Sequence, residues 1–60
     1  MNYTSNEMAE SFQIAIEAVE LVEGQEQEKL FIKLFDLSDD SYMLRSLLMQ
    51  SQLWIRYMEV

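Results

Sequence analysis

The second half of this chain carries more apolar residues than one face of a helix can hold. Residues 30–60, LFIKLFDLSDDSYMLRSLLMQSQLWIRYMEV, contain 18 apolar residues among 31. On a helix these side chains would point in every direction, so the segment needs neighbours on several sides. A chain of 60 residues can offer it one further helix. We therefore expect the remaining apolar surface to meet another chain.

A single domain over residues 1–60 is expected to have a marginal core, because chains of this size bury only about 60% of the surface that unfolding exposes. Small chains compensate with disulfides, structural metals or oligomerisation. The sequence has no Cys and no His, which removes disulfides and nearly every structural metal site. It therefore predicts a homodimer without a cofactor or a metal.

Gly24 is the only glycine in a chain without proline, and it predicts a turn between two helices. Upstream of this turn, Thr4 or Ser5 can cap a helix over residues 5–22, whose main apolar residues share one face. These residues are Met8, Phe12, Ala15, Ile16, Val19 and Val22. A second, narrower apolar strip consists of Ile14, Ala18 and Leu21. This strip is either incidental or an interface, because single apolar residues are common on protein surfaces.

The second helix is predicted to run from residue 26 to about residue 57, which makes the fold an all-α helix-turn-helix hairpin. Ser38-Asp39-Asp40-Ser41 argues against continuity, because short polar side chains compete for backbone hydrogen bonds. A break there would give three helices, with Ser38 capping the third. Since the segment has no Gly or Pro and the apolar pattern continues beyond it, we expect one helix that is bent or frayed at residues 38–41.

This long helix would have three apolar faces. The face expected to cover the first helix consists of Leu30, Leu34, Leu37, Leu44, Leu48 and Ile55. A second face consists of Phe31, Phe35, Tyr42, Met49 and Leu53, and a third of Ile32, Met43, Leu47, Trp54 and Met58. The first helix can serve neither of these two faces. We expect a dimer interface at Phe31, Phe35, Tyr42 and Met43, and a partner-binding surface that ends at Trp54.

Charge is distributed as unevenly as apolar character. Residues 1–28 hold seven acids and no base, whereas residues 29–60 hold four of each sign. Direct binding to nucleic acid is not expected, because phosphates require Lys and Arg. Most of these acids fit the solvated face of an amphipathic helix. The alternative is that they bind a protein with a basic surface.

The sequence offers little for catalysis. Only Asp and Glu could act as general acid or base, and Ser and Thr have no His to activate them. Pairs such as Glu7 and Glu10 have helical i, i+3 spacing, but without His or a Gly-containing ligand loop we expect no metal site. MNYTSNEMAESF lacks a secretory pattern, and no segment reaches the roughly 18 apolar residues of a membrane span. We therefore expect a cytoplasmic, non-enzymatic protein that does not associate with membranes.

Three segments carry a likeness to a known family. They are Phe12-Gln-Ile-Ala-Ile16, Glu28-Lys-Leu-Phe-Ile-Lys-Leu-Phe35 and Leu47-Leu48-Met-Gln-Ser-Gln-Leu-Trp54. They resemble, in turn, the start of the first helix, the opening of the second helix and the C-terminal Leu-rich run of the small phycobilisome-degradation proteins (the NblA family) of cyanobacteria, red-algal plastids and cyanophages. The chain departs from that family at Met49, where a basic residue is usual, and in its acidic cluster at residues 38–41.

The resemblance implies a dimeric adaptor without catalysis of its own. Such an adaptor would dock on phycobiliproteins, promote disassembly of the phycobilisome and present it to a Clp-type protease. Carried onto this chain, the contact with the pigment protein would consist of Leu47, Leu48, Met49 and Trp54, with Arg56 beside them. The end that faces the protease would lie near the acidic N-terminus.

Two other functions stay open from the sequence. One is a phage or mobile-element inhibitor whose acidic surface occupies the basic nucleic-acid-binding groove of a host protein. That surface would consist of Glu17, Glu20, Glu23, Glu26 and Glu28. The other is a structural or co-chaperone hairpin that packs beside a larger partner.

Overall fold

The computed structural model describes residues 5–59, which form four α-helices and no strand. The helices are α1 (Ser5–Glu20), α2 (Gln25–Leu37), α3 (Tyr42–Met49) and α4 (Gln52–Tyr57). The all-α prediction is therefore confirmed. The predicted hairpin with one helix over residues 26–57 is wrong, because the chain breaks twice within that range.

The first helix and the turn after it were predicted, but α1 ends at Glu20 rather than at residue 22, and Met8 of the predicted stripe is 44% exposed. α1 begins at Ser5 and buries Phe12, Ile16 and Val19, which belong to the predicted stripe. Thr4, the alternative cap, lies outside the described residues. Gly24 precedes α2 with a φ of 71°, a left-handed conformation that costs glycine little because it has no Cβ.

The first break separates α2 from α3 at residues 38–41, which was the alternative left open by the sequence. Ser38 follows the last residue of α2, and its Oγ donates to the Phe35 carbonyl oxygen at 3.0 Å. The cap of α3 is Ser41, whose Oγ accepts from the Leu44 backbone N–H at 3.2 Å. Ser38 therefore ends one helix, and it does not cap the next as the three-helix alternative proposed.

A second break, at Gln50 and Ser51, separates α3 from α4 and was not predicted. Ser51 Oγ accepts from the Trp54 backbone N–H at 3.3 Å and donates to the Leu48 carbonyl oxygen at 2.6 Å. The two breaks shorten the molecule. One helix over residues 26–57 would be about 48 Å long, whereas the longest dimension of the structure is 34 Å.

Eight apolar side chains drawn from all four helices form one core. They are Phe12, Ile16, Val19, Phe31, Leu34, Leu44, Leu48 and Leu53. The predicted core line is correct for Leu34, Leu44 and Leu48 but wrong for Leu37 and Ile55, which are 63% and 49% exposed. The second half was expected to find only one other helix in the chain to pack against, and this is also wrong. It forms three short helices, which pack against one another and against α1 around a shared core.

The second break explains why Leu48 and Leu53 are both buried. They are five residues apart in sequence, and on a continuous helix their side chains would point about 140° apart. In the structure they are 0% and 1% exposed. The change of direction at Ser51 thus lets both side chains face the core. Within residues 5–59, no helix combines the length and the apolar character that crossing a membrane requires.

Candidate functional site

The outer side of α3 carries a shallow groove with a volume of about 400 Å³. Its lining consists of Tyr42, Arg45, Ser46, Met49 and Gln50. These positions recur at i, i+3, i+4, i+7 and i+8, so the α3 groove is one helical face two turns long. The apolar part of the lining is accessible, since Tyr42 is 92% exposed and Met49 is 51% exposed.

Arg45 fixes one side of the α3 groove. Its Nη2 donates to the Phe35 carbonyl oxygen and its Nε to Ser38 Oγ, both at 2.9 Å. The guanidinium carbon lies 4.1 Å from the centroid of the Phe35 ring, as expected for a cation–π contact. The charge also complements the negative C-terminal end of α2. Arg45 therefore braces the groove against the neighbouring helix through two hydrogen bonds and a ring contact.

An aromatic cluster joins α2 to α4. Phe35 stacks on Trp54 with ring centroids 6.0 Å apart, and Phe31 stacks on Tyr57 at 5.1 Å. Phe31 also meets Trp54 edge to face at 6.5 Å. Such pairs stabilise by about 0.5–1.5 kcal/mol beyond the area they bury. Trp54 thus has a structural role within the chain, apart from any role in partner binding.

The residues predicted to bind a partner separate by depth. Leu48 is 0% exposed and belongs to the core, while Leu47 and Trp54 are half-buried against it. Met49 and Arg56 are exposed. Arg56 donates from Nη1 to Gln27 Oε1 at 2.7 Å, so it also helps to hold α4 in place.

The residues predicted to form the dimer interface separate in the same way. Phe31 is 4% exposed and lies in the core, and Phe35 and Met43 are partly buried against it. Tyr42 alone is fully accessible among the four. The structure thus brings Tyr42 and Met49, which had been given different roles, into one groove.

No family model, no curated protein and no solved structure matches this chain. The likeness to the phycobilisome-degradation family therefore depends on the three short segments alone. The long second helix that this likeness implied is replaced by α2, α3 and α4. The segment Leu47–Trp54 spans the second break.

Sequence reasoning missed three lining residues of the groove, namely Arg45, Ser46 and Gln50. Their signal was the helical spacing from Tyr42, but the polar members were not considered beside the apolar faces. It also missed a role for Glu20, whose carboxylate oxygen accepts from the Gln52 backbone N–H at 3.0 Å and so caps α4. One of the seven N-terminal acids thus has a structural function.

Two of the other acids contact neighbours on their own helices. Glu17 accepts from Gln13 Nε2 at 3.2 Å, and Glu26 lies 3.9 Å from Lys29 Nζ. Both contacts are exposed, and exposed pairs contribute little to stability. Among the described residues, no three His, Cys, Asp or Glu side chains are arranged to hold a metal ion.

Proposed function

We propose that the protein is a non-enzymatic adaptor that binds another protein through the α3 groove. The observation that carries the proposal is the exposure of Tyr42 and Met49 on one braced helical face. Aromatic residues, Met and Arg are enriched at the cores of protein interfaces, and the Met thioether adapts to varied partners. Because Arg45 and the Ser41 cap hold α3 in place, binding costs little ordering of the helix.

The specific partner supported by the sequence resemblance is a phycobiliprotein, which the adaptor would pass to a Clp-type protease. Met49 is the exposed member of the run Leu47-Leu48-Met49, and it is also the position at which the chain departs from that family. Leu48 lies in the core, so its side chain cannot reach a partner unless the fold opens. The contact proposed for this chain is therefore Met49 and Tyr42, with the exposed Arg56 on α4 as a further polar contact.

The test is binding of purified phycocyanin to the immobilised protein, measured by biolayer interferometry. Met49→Asp should weaken binding by at least about tenfold, since it places a charge in an apolar contact. Ile32→Asp is the matched control, because Ile32 is 59% exposed on α2, outside the groove, and its substitution should leave binding unchanged. Leu48→Asp is not a suitable variant, since a charge at a fully buried position would unfold the chain.

Three outcomes separate the candidate functions. Wild-type binding that Met49→Asp does not alter would show that the groove is not the contact surface. If phycocyanin does not bind at all, the phycobiliprotein proposal fails. If instead a purified DNA-binding protein is retained in a salt-sensitive way, the acidic-inhibitor function is favoured. The feature that speaks for that second candidate is the absence of any base in residues 1–28.

The homodimer remains a proposal, but it now rests on a different surface of the molecule. Its original reason was a long helix with two uncovered faces, and that helix is divided in the structure. The α3 groove is the surface that retains a residue from each predicted role, Tyr42 for the dimer and Met49 for the partner. We therefore propose that a second copy of the chain and a partner protein compete for this one groove.

A further inference from the structure

The side of α1 that faces away from the core carries a second apolar surface. Ile14 is 65% exposed and Leu21 is 84% exposed, with exposed Ala18 between them. At 100° per residue Ile14 and Ala18 lie about 40° apart around the axis of α1. Leu21 is the first residue after α1, in a turn where its backbone N–H donates to the Ala18 carbonyl oxygen at 3.2 Å. The buried residues Phe12, Ile16 and Val19 lie on the opposite side. The surface of Ile14, Ala18 and Leu21, here named the α1 strip, is therefore separate from the fringe of the core.

Carboxylates accompany the α1 strip. Glu10 and Glu17 follow one edge of it on the helix, and both are exposed. No Lys or Arg occurs in residues 1–28, so this surface has no cation of its own within that part of the chain. Residues 1–28 carry seven acids, and residues 29–60 carry four acids and four bases, which gives −7 and 0 respectively. The entire net charge of −7 thus lies in the half that contains the α1 strip.

We propose that the α1 strip binds an amphipathic helix of a partner protein, one with apolar residues along its centre and Lys or Arg along one edge. The apolar centre would cover Ile14 and Leu21, and the basic edge would meet Glu10 and Glu17. The α1 strip extends for about 10 Å along its helix. A partner helix with apolar residues at i, i+4 and i+7 would present an apolar stretch of the same length. This site is independent of the α3 groove.

Charge decides between this occupant and the others. An anionic membrane surface or a nucleic acid would be repelled by the acidic half of the chain. A second copy of the chain, paired by a two-fold axis through the strip, would bring the Glu10 and Glu17 edges of both copies to the same interface. A basic amphipathic helix complements both the apolar and the charged part of the surface. It would also be recruited faster at low salt, because attraction between exposed charges is screened by ions.

The test uses a synthetic helical peptide of about 18 residues, with Leu along one face and Lys along the adjacent edge. Its binding to the full chain, labelled with ¹⁵N, is followed by amide chemical shifts. The expected shifts centre on residues 14, 18 and 21, and binding weakens as NaCl is raised. Ile14→Asp should weaken binding by at least about tenfold. Met49→Asp, in the α3 groove, should leave the affinity unchanged.

A second variant and two reference ligands make the result decisive. Leu21 lies after the last residue of α1 and is highly exposed. The Leu21→Asp protein should therefore fold even if the Ile14→Asp protein does not. A peptide of the same composition in shuffled order should bind at least about tenfold more weakly than the amphipathic one. Equal binding of both peptides would reduce the effect to charge attraction alone and overturn the proposal. Shifts centred on α3, no binding, or preferred binding to vesicles of anionic lipid would overturn it as well.

Discussion

Gln27 is a buried polar side chain that ties three helices together. It is 4% exposed and uses all four of its hydrogen-bonding positions. Its Nε2 donates to the Val19 and Glu20 carbonyl oxygens at 3.3 Å, at the end of α1. Its Oε1 accepts from Arg56 Nη1 and Tyr57 Oη, both at 2.7 Å, on α4. Because a buried amide is stabilising only when its partners are present, this residue makes the position of α4 depend on α1.

Replacing Gln27 should destabilise the fold out of proportion to its size. We expect Gln27→Ala to lower the free energy of unfolding by about 2–3 kcal/mol, because it removes one buried and three partly buried hydrogen bonds. For a domain of this size, each 1 kcal/mol corresponds to a melting-temperature change of about 4–8 °C. Gln25→Ala, at an exposed position on the same helix, should change stability by less than about 0.5 kcal/mol. Urea and thermal unfolding followed by circular dichroism measure both variants, and equal stabilities would show that the Gln27 contacts contribute nothing.

At the scale of the helices, the sequence predicts the elements that are decided by interactions between near neighbours in the chain, and it fails where distant residues decide them. α1 and the turn at Gly24 were predicted because a cap, an apolar period and a single glycine are local signals. Ser51 caps α4 locally, but its break was missed because the contacts that hold α4 in place are distant: Glu20 accepts from Gln52 N–H 32 residues away, and Gln27 holds Tyr57 from 30 residues away. The candidate site suffered from the same error. Phe31 was assigned to the dimer surface on the geometry of one straight helix, although it is buried in the broken one. Leu48 was placed in the core by that geometry and in the partner contact by the family resemblance, and the structure agrees with the geometry.

The two breaks can be tested with three serine substitutions. Ser41→Ala and Ser51→Ala should each destabilise the protein by about 1 kcal/mol, because each removes the side chain that caps a helix. Ser46→Ala, in the middle of α3, should be neutral or stabilising by up to about 0.5 kcal/mol, because Ala is the better helix former. Urea unfolding curves provide the comparison. In a continuous helix over residues 26–57 all three serines would be interior, so stabilisation by all three substitutions would contradict the four-helix fold.

At the scale of the whole molecule, the proposed sharing of one groove would make self-association and partner binding exclude each other. We expect light scattering to show a mass that changes from one chain to two as the concentration rises. In a two-fold pair each substitution acts at both copies of its position, so Met49→Asp should raise the dimer dissociation constant by more than about tenfold. Ile32→Asp, on α2, should leave the dissociation constant unchanged.

A bound partner should also displace the second copy, so that the complex contains one copy of this chain. A mass of one chain at all concentrations up to roughly 1 mM would end the dimer proposal, and a dimer that binds its partner without dissociating would show that the two contacts use different surfaces.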